Sequence, residues 1–387
     1  MHVAMVNRMA AITRGGGEIW DLQVAERLDR GDVDVTVVTG APLRGDVPDP
    51  VERVESRSVR TPHLLETAHA LPPGPAGALA DLDLYLFARR CRATVRDLDP
   101  DVLYVNAWPQ LARLRRVVDA PTVLKLNGPP HSLLHDVVDP FSDSYDRLEA
   151  FDAVVTTGVT TETVAERSGV EPVEINPGVD TSRFRPAPVD ADDASSSTPL
   201  HDAGGDDVME LLFVGRFVPA KDLPSLLDAV ERVQERLDIH LTLVGGGPLR
   251  DRIARRIERE EMGGTVTLSG YVDNDDLPAY YRAADAVALS SRHENYPIVL
   301  LEAMSCGTPA IAPDVGAVDA IVTDGEDGLL YPAGDSAALA DAVRKLHDDP
   351  DRRERMGERA RERAVADFDW GDRTDRFEEL CRSLLAD

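Results

Sequence analysis

Two glutamates on either side of a proline mark one stretch of the chain. In "ENYPIVLLE", Glu294 and Glu302 are eight positions apart, with Pro297 between them. Proline is tolerated in the first turn of a helix, so the pattern predicts a helix that begins near Pro297 and contains Glu302, with Glu294 in the preceding loop. Eight residues of helix rise about 12 Å. The two carboxylates therefore suit different ends of one extended ligand.

Two cations follow an apolar run in the same half of the chain. In "ELLFVGRFVPAKDLPSLL", Arg216 comes directly after a predicted strand and Lys221 shortly before a predicted helix. Cations beside a helix N-terminus suit a diphosphate. A sugar joined through a diphosphate to a nucleoside would use all these groups, with one glutamate on the sugar hydroxyls and the other on the ribose.

Three glycines, Gly15 to Gly17, follow the first predicted strand and open a helix. Glycine lets backbone amides come close to a phosphate or a sugar, and it also makes tight turns for purely conformational reasons. The spacing is not the dinucleotide fingerprint G-x-G-x-x-G, which disfavours a dehydrogenase.

Elements that would position these groups occur twice along the chain. Short runs rich in Val and Ile alternate with helix-length amphipathic segments, which predicts two doubly wound α/β domains with parallel sheets. Ligands of such folds bind at the carboxyl ends of the strands. The predicted strands are Val3–Val6, Val33–Val38, Val102–Val105, Thr122–Leu126, Ala153–Thr156, Val173–Ile175, Leu211–Val214, Leu241–Val244, Val266–Leu268, Ala286–Leu289 and Ala310–Ala312.

A segment rich in Pro, Asp, Ser and Gly separates the two halves. Residues 186–209 contain almost nothing apolar and predict an acidic flexible linker. The predicted domains are 1–185 and 210–367, followed by a terminal helix at 368–387. A proline-rich stretch at Leu71–Ala78 predicts a surface loop inside the first domain.

Composition narrows the classes of function. A net charge of −28 and a pI near 4.6 disfavour binding to nucleic acid. The N-terminus does not resemble a secretory signal, and no apolar run is long enough to span a bilayer. Three scattered cysteines predict buried packing residues in a reducing compartment. We therefore expect a cytoplasmic protein.

The chain resembles the retaining GT-B glycosyltransferases of family 4, also called glycosyl transferases group 1. The motifs "ENYPIVLLE", "AMSCGTPAIAPDVG" and "FVGRFVPAKD" carry the resemblance, which runs almost end to end. It implies two Rossmann-like domains that face a cleft, an acceptor-side domain and a nucleotide-sugar domain, with the C-terminal helix crossing back to the first domain. It also implies transfer of a hexose-type sugar from a UDP- or GDP-sugar to an unidentified acceptor, with retention and without a metal or a cofactor.

The resemblance implies roles for matching residues. Glu294 would be the catalytic residue at the sugar hydroxyls, and Glu302 would bind the ribose. Amides from Asn295 to Ile298 would bind phosphate, except that of Pro297, which has no N–H. The implied donor-binding residues are Gly16, Gly17, Arg216, Lys221, Tyr271, Val272, Asn295, Tyr296, Pro297, Ile298 and Glu302.

Two asparagines depart from the family pattern. Asn106 in "PDVLYVNAWPQ" occupies the place of the family's catalytic-site histidine, and Asn127 in "KLNGPPH" that of a second common histidine. Asparagine hydrogen-bonds a sugar hydroxyl but does not titrate. We expect Asn106 at the catalytic position, and Asn127 and His131 on the acceptor side.

Two other classes of protein fit part of the pattern. A sugar-nucleotide epimerase shares this fold and donor, and release of free nucleotide would distinguish the transferase. A non-catalytic sugar-nucleotide binder is motivated by Asn106.

The acceptor is left open between a glycan, a lipid-linked molecule and a small molecule. The chain contains two arginine-rich runs, "RRCRATVRD" and "RLRRVV". Each run is interpreted either as a solvated helix face or as a surface that makes a peripheral contact with the cytoplasmic face of a membrane.

Acidic composition predicts adaptation to a salt-rich cytoplasm. Only three of the 42 basic residues are lysine, and 70 residues are acidic. At about 1 M salt the Debye length is about 3 Å, so repulsion between the surface carboxylates is screened. We expect the melting temperature to rise as KCl increases from about 0.1 M to about 1 M, measured by scanning calorimetry. A melting temperature that does not rise with KCl would contradict the predicted adaptation to a salt-rich cytoplasm.

Overall fold

The computed structural model describes residues 1–10, 16–41, 54–61, 73–106, 109–128, 144–187, 200 and 208–386. Contacts group the chain into two compact units, Met1–Pro177 with Trp370–Asp387, and Gly178–Asp369.

The first unit contains a parallel sheet. Among the described residues it has seven strands in the order β3-β2-β1-β4-β5-β6-β7. Apolar side chains from both faces pack under the helices, as in a doubly wound sheet. The elements are β1 His2–Asn7, α1 Gly16–Asp29, β2 Asp34–Ala41, β3 Glu55–Arg60, α2 Pro73–Leu98, β4 Val102–Asn106, β5 Thr122–Lys125, β6 Ala153–Thr156, α3 Thr160–Ser168 and β7 Val173–Glu174, with 3-10 helices at Pro109–Arg116 and Ser144–Ala150.

The second unit repeats this architecture. Its sheet has six strands within the described part of the chain, in the order β10-β9-β8-β11-β12-β13, and all paired strands are parallel. The elements are β8 Met209–Val214, α4 Leu223–Val233, β9 Ile239–Val244, α5 Arg250–Arg259, β10 Val266–Gly270, α6 Leu277–Ala283, β11 Ala286–Ala288, α7 Ile298–Ser305, β12 Ala310–Pro313, α8 Val318–Ile321, β13 Gly328–Tyr331, α9 Ser336–His347 and α10 Pro350–Asp367. The prediction of two parallel α/β units is confirmed.

The last helix, α11 Trp370–Leu384, belongs to the first unit. The Phe377 ring packs edge-on against Trp20 of α1 and Tyr104 of β4, with centroid distances of 5.6 and 5.5 Å. Trp370 lies under the Arg27 guanidinium, 5.7 Å from its carbon. The C-terminal helix therefore returns to the first unit, as the family resemblance implied.

Two strands were missed by the sequence analysis. Strand β3, "ESRSVR", lies at the edge of its sheet and buries only Val59 and part of Ser56, so it has no apolar run to detect. Strand β13, "GLLY", is an edge strand of four residues. Edge strands need little apolar sequence because one side of the strand is unpaired.

The loop predicted at Leu71–Ala78 is wrong for most of its length. Helix α2 begins at Pro73 and includes Pro75. Both prolines fall in the first turn, where a missing amide hydrogen breaks no intrahelical bond. The prolines therefore start a helix here instead of marking a loop.

The compact units end at different residues from the predicted domains. The predicted boundary at residue 185 lies inside the second unit, where Phe184 is buried in the core. Arg361 of α10 donates to the carbonyls of Thr181 and Phe184 at 3.1 and 3.0 Å. Residues 188–199 and 201–207 of the predicted linker lie outside the described residues, so the linker stays a prediction.

All three cysteines are buried, as predicted. Burial raises the pKa of the thiols of Cys91, Cys306 and Cys381 to about 12. Among the described helices, none combines the length and apolar character needed to cross a membrane.

Candidate active site

Glu294 and Lys221 are in direct contact in the second unit. The Lys221 ammonium lies 2.5 Å from Oε1 of Glu294, and the Ser291 hydroxyl donates to the same oxygen at 2.5 Å. The Glu294 side chain is 8% exposed and that of Lys221 is 22% exposed. Because both charges are largely removed from water, their interaction is stronger than that of a surface ion pair. The structure thus brings together two of the residues singled out in the sequence.

The loop that contains Lys221 is fixed to the loop that contains Glu294. The Ser290 hydroxyl donates to the carbonyl of Lys221, and the amide of Arg292 donates to the carbonyl of Ala220, both at 2.8 Å. The Arg292 guanidinium pairs with Asp222. Since β8 and β11 are neighbours in the sheet, the loops that follow them lie side by side at its carboxyl edge. Hydrogen bonds to the backbone carbonyls of the Lys221 loop therefore set the separation of the ammonium and the carboxylate.

Gly316 packs against the backbone of the loop that contains Glu294. Its φ is +61°, and a Cβ at this position would lie 1.7 Å from the carbonyl oxygen of Glu294. Any larger residue would displace the loop. Gly316 ends the motif "AMSCGTPAIAPDVG", and its role was not predicted because the contact joins segments that are separated in the chain.

Arg216 is exposed at the end of β8. Its neighbour Gly215 is packed against Gly245, where a Cβ would lie 2.0 Å from the Gly215 carbonyl, and the Phe217 amide donates to Gly246 at 2.7 Å. The glycines of "LVGGGP" therefore pack against the backbone on either side of Arg216 and hold it in place. Arg216 lies at the same sheet edge as Lys221.

Glu302 is buried inside α7. Only 6% of the residue is exposed, and the Tyr281 hydroxyl donates to its Oε2 at 2.6 Å. Burial raises the pKa of Glu302 to about 7, while the Tyr281 hydrogen bond and the charge of Arg183 act in the opposite direction. Tyr281 was missed by the sequence analysis, because nothing in "PAYYRA" indicates which tyrosine faces α7.

The helix that contains Glu302 begins one residue later than expected. Helix α7 begins at Ile298, and Pro297 is the residue before it, with extended backbone. Asn295 and Tyr296 are half-buried in the preceding loop. At the end of β10, Tyr271 is 74% exposed and follows Gly270, whose φ is +81°.

Asn106 and Asn127 lie together in the first unit. Asn106 ends β4 and is 4% exposed. Its Nδ2 donates to Asp21 at 2.5 Å, and its Oδ1 accepts from Nδ2 of Asn127 at 3.3 Å. Asn127 is half-buried. Both polar atoms of the Asn106 side chain are therefore engaged by protein, which the sequence did not indicate.

Other predicted residues of the first unit are described only in part. Gly16 and Gly17 are the first two residues of α1. Gly15 and His131 lie outside the described residues. Within the described ranges, no group of three or more His, Cys, Asp or Glu side chains converges as metal ligands do.

Two family models match the chain in succession. Residues 14–183 match the model of Glycosyltransferase Family 4, and residues 205–363 match that of Glycosyl transferases group 1. D-inositol 3-phosphate glycosyltransferase of Salinispora arenicola is 29% identical over 410 residues, covering 97% of this chain and 88% of that protein. The protein of the same name from Kineococcus radiotolerans is 34% identical over 263 residues, covering 62% and 59%.

Solved structures share the fold over the whole chain. Sucrose-phosphate synthase from Thermosynechococcus elongatus has a TM-score of 0.81 and 24% identity, covering 100% of this chain and 99% of that one. Anabaena HepE in complex with UDP-glucose has a TM-score of 0.74 and 20% identity, covering 99% and 100%. The chain has a GT-B fold, and from the matches to both halves it belongs to the family 4, or group 1, glycosyltransferases.

Proposed function

We propose that this glycosyltransferase moves a hexose-type sugar from a UDP- or GDP-sugar to an acceptor, with retention of the anomeric configuration and without a metal. The single observation that carries the proposal is the contact between Lys221 and Glu294, 2.5 Å apart at the carboxyl edge of the second sheet. Strand ends of this kind are where doubly wound sheets bind ligands.

The two charges of the pair fit different parts of the donor. Lys221 and the exposed Arg216 would face the diphosphate, where they neutralise the charge that develops as the sugar leaves. Glu294 accepts hydrogen bonds, so it would bind sugar hydroxyls. The Ser291 hydroxyl donates to the same carboxylate oxygen that Lys221 contacts, and so helps to orient the carboxylate. These cations and the N-terminus of α7 supply the electrostatic stabilisation that a metal ion would otherwise provide.

Retention follows if the acceptor attacks from the face that the diphosphate leaves. The bond from the anomeric carbon to the diphosphate oxygen breaks, the bond to the acceptor oxygen forms, and the departing diphosphate takes the acceptor proton. Asn106 cannot take that proton because an amide does not titrate in this range. The role of the protein is therefore to position and to stabilise charge.

UDP-glucose is the first donor to test, because HepE has been solved in complex with it. D-inositol 3-phosphate is the first small-molecule acceptor, after the names of the relatives. Glycans and lipid-linked sugars complete the panel. Family membership does not favour an epimerase or a non-catalytic binder.

We place the enzyme in the cytoplasm, with a peripheral contact at the membrane. The exposed arginines on α2 and the following 3-10 helix support the membrane contact, because arginine side chains are attracted to anionic lipids. They are Arg89, Arg90, Arg92, Arg96, Arg113, Arg115 and Arg116. We expect the protein to float with vesicles containing phosphatidylglycerol and not with neutral vesicles, at about 0.1 M salt. Full recovery in the soluble fraction with both vesicles would contradict the contact.

Replacing Glu294 with alanine should slow turnover strongly while leaving nucleotide binding intact. We expect kcat/KM to fall by about 100-fold or more, since the carboxylate acts where charge develops. Release of nucleoside diphosphate from UDP- and GDP-sugars in molar KCl measures the rate, and thermal stabilisation by the nucleotide measures binding.

Two variants make the Glu294 result specific. Ser291→Ala removes one hydrogen bond to the carboxylate and should cause a smaller loss. Glu358→Ala makes the same chemical change at an exposed site on α10 and should leave the rate unchanged. Wild-type turnover by Glu294→Ala would remove this residue from the reaction.

Nucleotide binding should depend on pH through Glu302. Its pKa is raised to about 7, so the carboxyl is neutral below this pH and accepts hydrogen bonds from ribose hydroxyls best above it. We expect UDP affinity to increase as the pH rises through about 7. Tyr281→Phe removes a hydrogen bond that favours the ionised form, which moves the midpoint to higher pH and weakens binding at pH 7 by up to about tenfold.

Calorimetric titration of UDP between about pH 6 and pH 9 tests this dependence. Glu302→Gln is the reference, because it retains the shape but cannot ionise, and it separates the titration of Glu302 from that of the nucleotide phosphate. Identical midpoints in the wild type and Tyr281→Phe would contradict the assignment.

A further inference from the structure

Buried polar side chains line the carboxyl edge of the first sheet. Three of them end strands: Asn7 ends β1, Asn106 ends β4 and Lys125 ends β5, while Thr157 follows β6. Asp21 joins them from the second turn of α1. Each of these five residues is at most 4% exposed. Polar side chains are rarely this buried unless they have hydrogen-bond partners in the protein.

Asp21 is held by three neutral donors. Its Oδ2 accepts from Nδ2 of Asn7 at 2.6 Å and from Nδ2 of Asn106 at 2.5 Å, and its Oδ1 accepts from the Tyr104 hydroxyl at 2.5 Å. The carboxylate thereby ties α1 to two neighbouring strands of the sheet, β1 and β4.

Lys125 supplies the opposite charge without touching Asp21 directly. Its ammonium donates to Oδ1 of Asn127 at 2.7 Å and to the Thr157 hydroxyl at 3.0 Å, and it lies 4.2 Å from the centre of the Trp20 ring. Burial without such partners would strongly disfavour the charged form of a lysine. The ring and the two oxygens therefore stabilise its charged form.

Asn106 and Asn127 link Asp21 to Lys125 by hydrogen bonds, and each amide can take only one orientation in this chain. A carboxylate only accepts hydrogen bonds, so Asn106 must turn its NH₂ to Asp21 and its carbonyl to Asn127. Asn127 then donates to Asn106, and its carbonyl faces Lys125, which only donates. The charges at the two ends thus determine the orientation of both amides.

Asn127 is the member of this hydrogen-bonded chain that is half-buried, whereas Asp21, Asn106 and Lys125 are buried. It follows β5 at the edge where sheets of this type bind ligands. A fixed amide at this edge offers a substrate hydroxyl a defined arrangement of donor and acceptor.

A purely stabilising role explains this arrangement poorly. Well-packed apolar residues in place of buried charges are often as stable or more stable. A stabilising pair would also place its opposite charges in contact, as Arg8 and Asp83 do at 2.9 Å in the same unit. Asp21 and Lys125 are instead separated by the two amides that they orient.

We propose that Asp21 and Lys125 are positioning residues of the sugar transfer, which fix the amide of Asn127 and the beginning of α1 at the ligand edge of the first unit. The inference rests on the proposed function, because it assigns Asn127 to the substrate side of the same reaction. Neither Asp21 nor Lys125 touches the substrate in this scheme.

The charges of the pair are sensitive to pH. Burial raises the pKa of Asp21 and lowers the pKa of Lys125, and each group opposes the shift of the other. Glu18 of α1 also favours the charged lysine. Tyr104 of β4 faces Asp21, and Cys381 of α11 faces Tyr104; burial raises the pKa of both, so they stay neutral. Acid therefore discharges Asp21 and alkali discharges Lys125, and either change releases one end of the amide chain.

A double-mutant cycle separates positioning from stability. Asp21→Asn and Lys125→Met each leave one buried charge uncompensated, so both the melting temperature and kcat should fall. In the double variant neither charge is present, and we expect the melting temperature to recover while kcat stays about 10- to 100-fold below that of the wild type, by analogy with the residues that orient the ligands of metal sites. The kcat of the wild type should decrease on both sides of neutrality, and that of the double variant should lose this dependence.

Controls distinguish failure of the inference from failure of the proposed function. UDP binding, by calorimetry, should be similar in all variants if the second unit is intact, and Asp32→Asn, the same change at an exposed site before β2, should behave as the wild type. A double variant with the wild-type kcat and pH profile would overturn the positioning role alone. No turnover by the wild-type protein with any donor and acceptor would overturn the proposed function, and the positioning role with it.

Discussion

The second unit depends on keeping one ammonium and one carboxylate at a fixed separation. Lys221 and Glu294 belong to loops that follow adjacent strands, so the order of the sheet brings them together before any side-chain contact is made. A contact this poorly hydrated is stable only if both loops are held in place. The Ser290 hydroxyl and the Arg292 amide hold them by donating to carbonyls of the Lys221 loop, and Gly316 leaves the space that the Glu294 carbonyl occupies.

Lysine is used selectively in this chain. Of the three lysines, Lys125 is fully buried and Lys221 is mostly buried, while Lys345 is exposed on α9. Arginine provides nearly all other positive charge. A compact ammonium with three donors fits a cluster of single oxygens, whereas the planar guanidinium fits a forked acceptor. In an acidic protein that uses little lysine, the two buried ammonium groups therefore lie where a point charge is required.

The sequence predicted the elements whose signal is local. Apolar runs located eleven of the described strands to within a few residues, and the glutamate spacing placed Glu294 in a loop and Glu302 in a helix. Strand β3 was missed because its edge position requires no apolar run. The contacts of Tyr281, Ser291 and Asp21 were missed for another reason, since each depends on which distant segment packs against it.

Asn106, at the position where the family resemblance implies a histidine, limits the proton chemistry that the first unit is able to do. A histidine between Asp21 and Asn127 would have a proton to give or accept near neutral pH, and its tautomer would follow the state of its neighbours. Asn106 has a fixed number of hydrogens, so Asp21 at one end of the amide chain and Lys125 at the other determine the direction of its hydrogen bonds. In a transfer in which the departing diphosphate takes the acceptor proton, no base is needed at this edge. A residue that cannot titrate then preserves the geometry of the amide chain for as long as the two charges at its ends persist.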